Sequence, residues 1–149
     1  MKRTRHGGML AALVAGALLA GCGTMDKGSA PRASSGERVS LSGSQEVPPV
    51  KSGAAGSATV AVGADCTVTA SVTVTGMTAT AAHIHQAAAG ANGPVIVPFT
   101  KSGDNAFVAP PGAKMNEAQC AAYRQGNTYV NVHSAAHPPG EVRAQLSGK

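Results

Sequence analysis

Tryptophan is absent from this 149-residue chain, tyrosine and phenylalanine number two each, and charged side chains make up only 13%. So little charge leaves no concentrated basic patch, which excludes an ordinary nucleic-acid binder. The formal charge of +5 overstates how basic the folded part is. Without Lys2, Arg3 and Arg5, which belong to an N-terminal targeting segment, nine basic residues face seven acidic ones. There is no Ser-His-Asp or Cys-His catalytic set, no phosphate-cradling glycine loop, no CxxC and no internal repeat. The apolar run from Met9 to Ala20 is too short for a permanent bilayer-spanning helix. The chain from Cys22 onward has room for one core and no second. What is plentiful is glycine, at 19 residues, with abundant Ala, Val, Thr and Ser. That composition points to short strands and tight turns rather than a helical bundle.

The N-terminus joins a basic start, Met-Lys-Arg-Thr-Arg, to a short apolar core and then Leu19-Ala20-Gly21-Cys22. This is the physical pattern of a secretory signal, and Leu-Ala-Gly-Cys resembles the lipobox of bacterial lipoproteins. The resemblance implies that residues 1–21 are removed and that Cys22 carries the lipid that anchors the chain; ordinary cleavage would leave Cys22 a free thiol. Gly23 follows the Cys where an Asp would signal inner-membrane retention, so a two-membrane host favours the outer membrane, with the protein facing the periplasm. Export makes Cys66 and Cys120 a disulfide most simply, with a thiolate metal ligand as the alternative. Residues 22–37 hold little to bury and read as a flexible tether to a domain at 38–149.

Within that domain, period-2 alternation dominates. Cys66, Val68, Ala70, Val72 and Val74 fall on one side, and Thr67, Thr69, Ser71, Thr73 and Thr75 on the other. This is a strand with one buried and one wet face. Val130 and Val132 likewise oppose Tyr129, Asn131 and His133, while Val142, Ala144 and Leu146 oppose Glu141, Arg143 and Gln145. Val95-Ile96-Val97 reads as a strand buried on both sides. Asn116 to Gly126 reads as a short helix, with Asn as the cap, Glu117 in the first turn and Gly as the terminator. Seven or eight short strands with one helix predict an all-β sandwich or a partly closed Greek-key barrel.

Four histidines follow the signal: His83, His85, His133 and His137. On a strand, side chains at i and i+2 leave the same face about 6–7 Å apart, and two imidazoles can then converge on one ion at about 2.0–2.1 Å each. His133 also avoids the core. If its strand neighbours that of His83 and His85, the three make a nitrogen site for copper or zinc on the outside of the sheet. A His-x-His on a polar face can equally be hydrated surface, and His137, in a proline-rich loop, reads as a solvated turn residue.

Three segments in order, Leu41-Ser42-Gly43-Ser44-Gln45-Glu46-Val47-Pro48-Pro49, Ala82-His83-Ile84-His85 with Gly90-Ala91-Asn92-Gly93-Pro94-Val95, and Tyr129-Val130-Asn131-Val132-His133 with Pro139-Gly140-Glu141-Val142-Arg143, resemble the chordin-type (CHRD) domain. The resemblance implies an immunoglobulin-like β-barrel with limited similarity to copper–zinc superoxide dismutases; in chordin the domain belongs to an extracellular growth-factor antagonist. Carried over to the dismutase pattern, His83 and His85 match its His-x-His copper pair and His133 its late copper ligand. No His stands between His85 and His133 to bridge copper to zinc, and Asp104 alone does not replace the clustered zinc ligands.

Among the other motif residues, Glu46 is expected to accept from an imidazole N–H, Asn131 to tie a loop, and Glu141 with Arg143 to form an exposed ion pair. Together these features point to a membrane-tethered, non-enzymatic domain binding copper or zinc through His83, His85 and His133, with no nucleic-acid partner. A metal-free interaction or envelope-structural module is the alternative, and a copper redox enzyme of dismutase type is the third reading.

Overall fold

The computed structural model describes residues 36–149, so the expected signal, Cys22 and most of the expected tether lie outside the described residues. Among the described residues nine strands form, one or two more than expected: β1 (Glu37–Ser42), β2 (Ala55–Val62), β3 (Val68–Thr75), β4 (Ala79–His85), β5 (Val95–Pro98), β6 (Thr100–Gly103), β7 (Ala106–Val108), β8 (Thr128–Ser134) and β9 (Val142–Leu146). The strands that no alternation marked are the short pieces β6 and β7. β1 begins one residue before the expected boundary because Glu37 belongs to the fold. Its carboxylate accepts from the backbone N–H groups of Ser147 and Gly148, pinning the C-terminus.

All pairings are antiparallel, in the order β5-β4-β8-β9-β1-β2-β3-β7-β6. The two end strands of this order, β5 and β6, are joined by the single residue Phe99, whose N–H donates to Ala82 O on β4 at 3.0 Å. The sheet is therefore nearly closed into a barrel. Its interior takes the apolar half of each alternation: Leu41, Val60, Val72, Ile84, Phe107, Val130, Val132, Val142 and Leu146 are all buried. Burying each such side chain stabilises the fold by roughly 1.5–3 kcal/mol. Small aliphatics suffice because a narrow barrel leaves little interior to fill.

Val95-Ile96-Val97 departs from expectation. Only Val97 is buried, and Val95 is 47% exposed, because β5 ends the strand order and pairs only with β4. The helix α1 (Glu117–Arg124) forms as its residues dictate. Asn116 accepts from the Gln119 backbone N–H, Gln119 Oε1 accepts from the Asn116 N–H, and Gly126 follows at φ +74°. Cys120 in α1 and Cys66 lie at disulfide distance, with Cα atoms 5.8 Å apart. Cys66 stands in the turn before β3 rather than at the strand's start, its N–H donating to Gly63 O.

Three connections shape the site. Residues 43–54 join β1 to β2, 86–94 join β4 to β5, and 135–141 join β8 to β9. They are tied to one another and to the outer surface of β4, β8 and β9: Asn92 Nδ2 donates to Val47 O, and Asn131 Nδ2 to Pro139 O.

Candidate metal centre

β4 and β8 are direct neighbours, with His83 opposite Asn131 and His85 opposite Tyr129. This register brings the three histidines together, and one ring nitrogen from each of His83, His85 and His133 lies within 4.8 Å of the others. His83 Nδ1 and His133 Nε2 are 2.9 Å apart. Two nitrogens at about 2.0–2.1 Å from one ion sit about 2.9 Å apart when they subtend a right angle and about 3.4 Å apart when tetrahedral. Bringing the widest separation, 4.8 Å, to about 3.4 Å takes a shift of about 1.4 Å.

The cluster is not on the open outside of the sheet. His85 is buried and His83 and His133 half-buried, because the 86–94 and 135–141 connections cover them. Those connections also orient the rings. His85 Nδ1–H donates to Gly93 O at 2.9 Å and His133 Nδ1–H to Pro138 O at 2.8 Å. Each bond sets the tautomer that leaves Nε2 as a lone pair, the arrangement a metal-bound imidazole needs. Burial lowers His83 to about 4, reinforced by its two histidine neighbours, so it is a neutral donor at physiological pH. His85 is also lowered, chiefly by desolvation.

One side of His85 is a layered stack. Its ring lies parallel to Tyr129, centroids 4.9 Å apart, and the Arg143 guanidinium covers the other face of Tyr129 at 3.4 Å. The segment Ala91-Asn92-Gly93 binds all three layers. Gly93 O takes the His85 proton, Gly93 N–H donates to the Tyr129 hydroxyl, and Arg143 donates to Ala91 O and Asn92 Oδ1. The sequence alternation puts Tyr129 on the face of His133, and the β4–β8 register sets it against His85.

Glu46, Glu141 and Arg143 are placed differently from expectation. Glu46 Oε1 accepts from Asn131 Nδ2 at 3.3 Å, not from an imidazole, and desolvation raises its carboxyl above the ordinary range. Glu141 and Arg143 form no exposed pair. Glu141 accepts from Ser134 Oγ, Arg143 is 1% exposed and turned to Tyr129 and the 91–92 backbone, and both are buried. Asn131 does tie a loop, through Pro139 O. His137 uses its backbone N–H on Ser134 Oγ and stays outside the cluster.

No curated protein and no solved structure matches the chain. The model of the CHRD domain family matches residues 38–146, which span β1 to β9 and every residue of the histidine cluster. That match covers most of the chain, and the chain belongs to the CHRD domain family.

Proposed function

We propose that this protein is an exported CHRD domain, tethered to the membrane through lipid on Cys22 and facing the periplasm in a two-membrane host, that holds a copper or zinc ion at His83, His85 and His133 without catalysis. It serves metal handling, or uses the ion to fix a binding surface. The observation that carries the reading is the convergence of three imidazole nitrogens within 4.8 Å, two of the rings having their second nitrogen committed to a backbone carbonyl. Imidazole suits both copper and zinc, and rings held in place before the ion arrives lose little freedom on binding it. Titration with Cu(II) and Zn(II), comparing wild type with His85→Ala, tests the proposal. Loss of at least tenfold in affinity is expected, and equally weak binding by both proteins removes the idea.

A metal-free interaction or envelope-structural module is the second reading, favoured by one observation. His83 and His133 already bond to each other, so those rings are satisfied without an ion. Partners recovered on the protein would then survive chelation.

A further inference from the structure

We propose that the amide oxygen of Asn131 is a fourth donor at the histidine cluster, making an N3O site selective for a divalent ion, Cu(II) or Zn(II), over Cu(I). The inference rests on the metal reading above and names a ligand that the histidine pattern alone does not give.

Asn131 lies on β8 directly opposite His83 and two residues from His133, on the same face. It is 2% exposed. Its Nδ2 donates to Glu46 Oε1 and Pro139 O, both at 3.3 Å. Reversing the amide would set its oxygen against these two oxygens, so its orientation is determined. Oδ1 therefore points away from the loop, and it has no partner. Among the described residues, three buried side-chain polar atoms lack one: His85 Nε2, Thr128 Oγ1 and Asn131 Oδ1. Two of the three, His85 Nε2 and Asn131 Oδ1, belong to side chains on this one face, Asn131 standing opposite His83 in the β4–β8 register.

Both orphaned atoms are acceptors. The His85 proton is committed to Gly93 O, so Nε2 has nothing to donate to the amide. Buried polar groups are nearly always satisfied, and two unsatisfied acceptors on one covered face call for a positive or donating guest. A metal ion meets both at once. A neutral amide oxygen is a hard ligand, and adding it to three imidazoles moves the preference from soft Cu(I) toward Cu(II) and Zn(II).

The test uses the full chain with Asn131→Leu, which removes the oxygen at similar size, and Asn131→Asp, which keeps an oxygen and adds charge. Competition titrations with Zn(II), Cu(II) and Cu(I) are read beside the electron paramagnetic resonance spectrum of the Cu(II) form. Asn131→Leu is expected to weaken Zn(II) and Cu(II) binding by roughly tenfold or more, to change the Cu(II) spectrum, and to leave Cu(I) affinity near wild type. Asn131→Asp should tighten the divalent ions. Wild-type affinity and spectrum in Asn131→Leu would assign the orphaned acceptors to a buried water and overturn the inference. If Asn131→Leu does not fold, an unchanged affinity and spectrum in Asn131→Asp does the same. Failure of the wild type to bind any ion sinks the metal reading itself, so the two failures are told apart.

Discussion

On β3, Val68, Ala70, Val72 and Val74 are buried while Thr69, Ser71, Thr73 and Thr75 are exposed. β8 and β9 have the same alternation, yet both halves are buried: Val130, Val132, Val142 and Ala144 face the barrel interior, and Tyr129, Asn131 and Arg143 face outward beneath loops. The β3 hydroxyls meet water, or a hydroxyl of neighbouring β2 as in Thr73–Ser57 at 3.3 Å, and need no designated partner. The covered groups have only the protein, so each bond they make is specific and each one missing is felt. Both orphaned acceptors of the histidine cluster lie under this cover.

The contrast is sharpest for Arg143→Ala against Thr73→Ala. Losing the stack on Tyr129 and the bonds to Ala91 and Asn92 should cost about 3 kcal/mol by urea denaturation, whereas Thr73→Ala should stay within about 0.5 kcal/mol. Equal effects would erase the distinction between the faces. A glycine pair gives the next largest difference. Gly140 has φ +141°, and a Cβ there would run into the Asn131 amide and the Glu46 carboxylate. Gly140→Ala should therefore lower stability by about 2 kcal/mol. Gly53, with nothing near its position, should tolerate Ala within about 0.5 kcal/mol, and a Gly140→Ala protein as stable as wild type would show that the cover is loose.

The smallest effect is in pH. His83 titrates near 6.5 when unfolded and near 4 when folded, because burial disfavours its charged form. The metal-free protein should thus hold this contribution above pH 6.5 and lose it as the pH falls toward 4, where the unfolded chain takes the proton first. Denaturation midpoints across that window should fall more steeply for wild type than for His83→Gln; parallel curves would mean that the cover does not desolvate the ring.

The alternation of β3 was legible because a strand wet on one face writes its burial into every second residue, and α1 because Asn116 and Gly126 mark its ends. His83 and His85 were legible as a pair through their spacing. The depth of His85, Glu141 and Arg143 was not, because what covers them comes from loops remote in sequence, such as 91–93 lying on β9. Val95 misled for a related reason. A run of three apolar residues looks the same in a central strand and an end strand, and only the strand order separates them. Tyr129 and the orphaned oxygen of Asn131 depend on cross-strand register, which no local pattern carries.

Phe99 has a consequence beyond architecture. Because one residue carries the chain from the first strand of the order to the last, the edges that the sheet could offer to other copies are confined to two adjoining strands of four residues each. Growth by edge-to-edge strand addition, the usual start of fibre formation, is thereby blunted. A core of small aliphatic residues and few charges is thus combined with very little exposed strand edge.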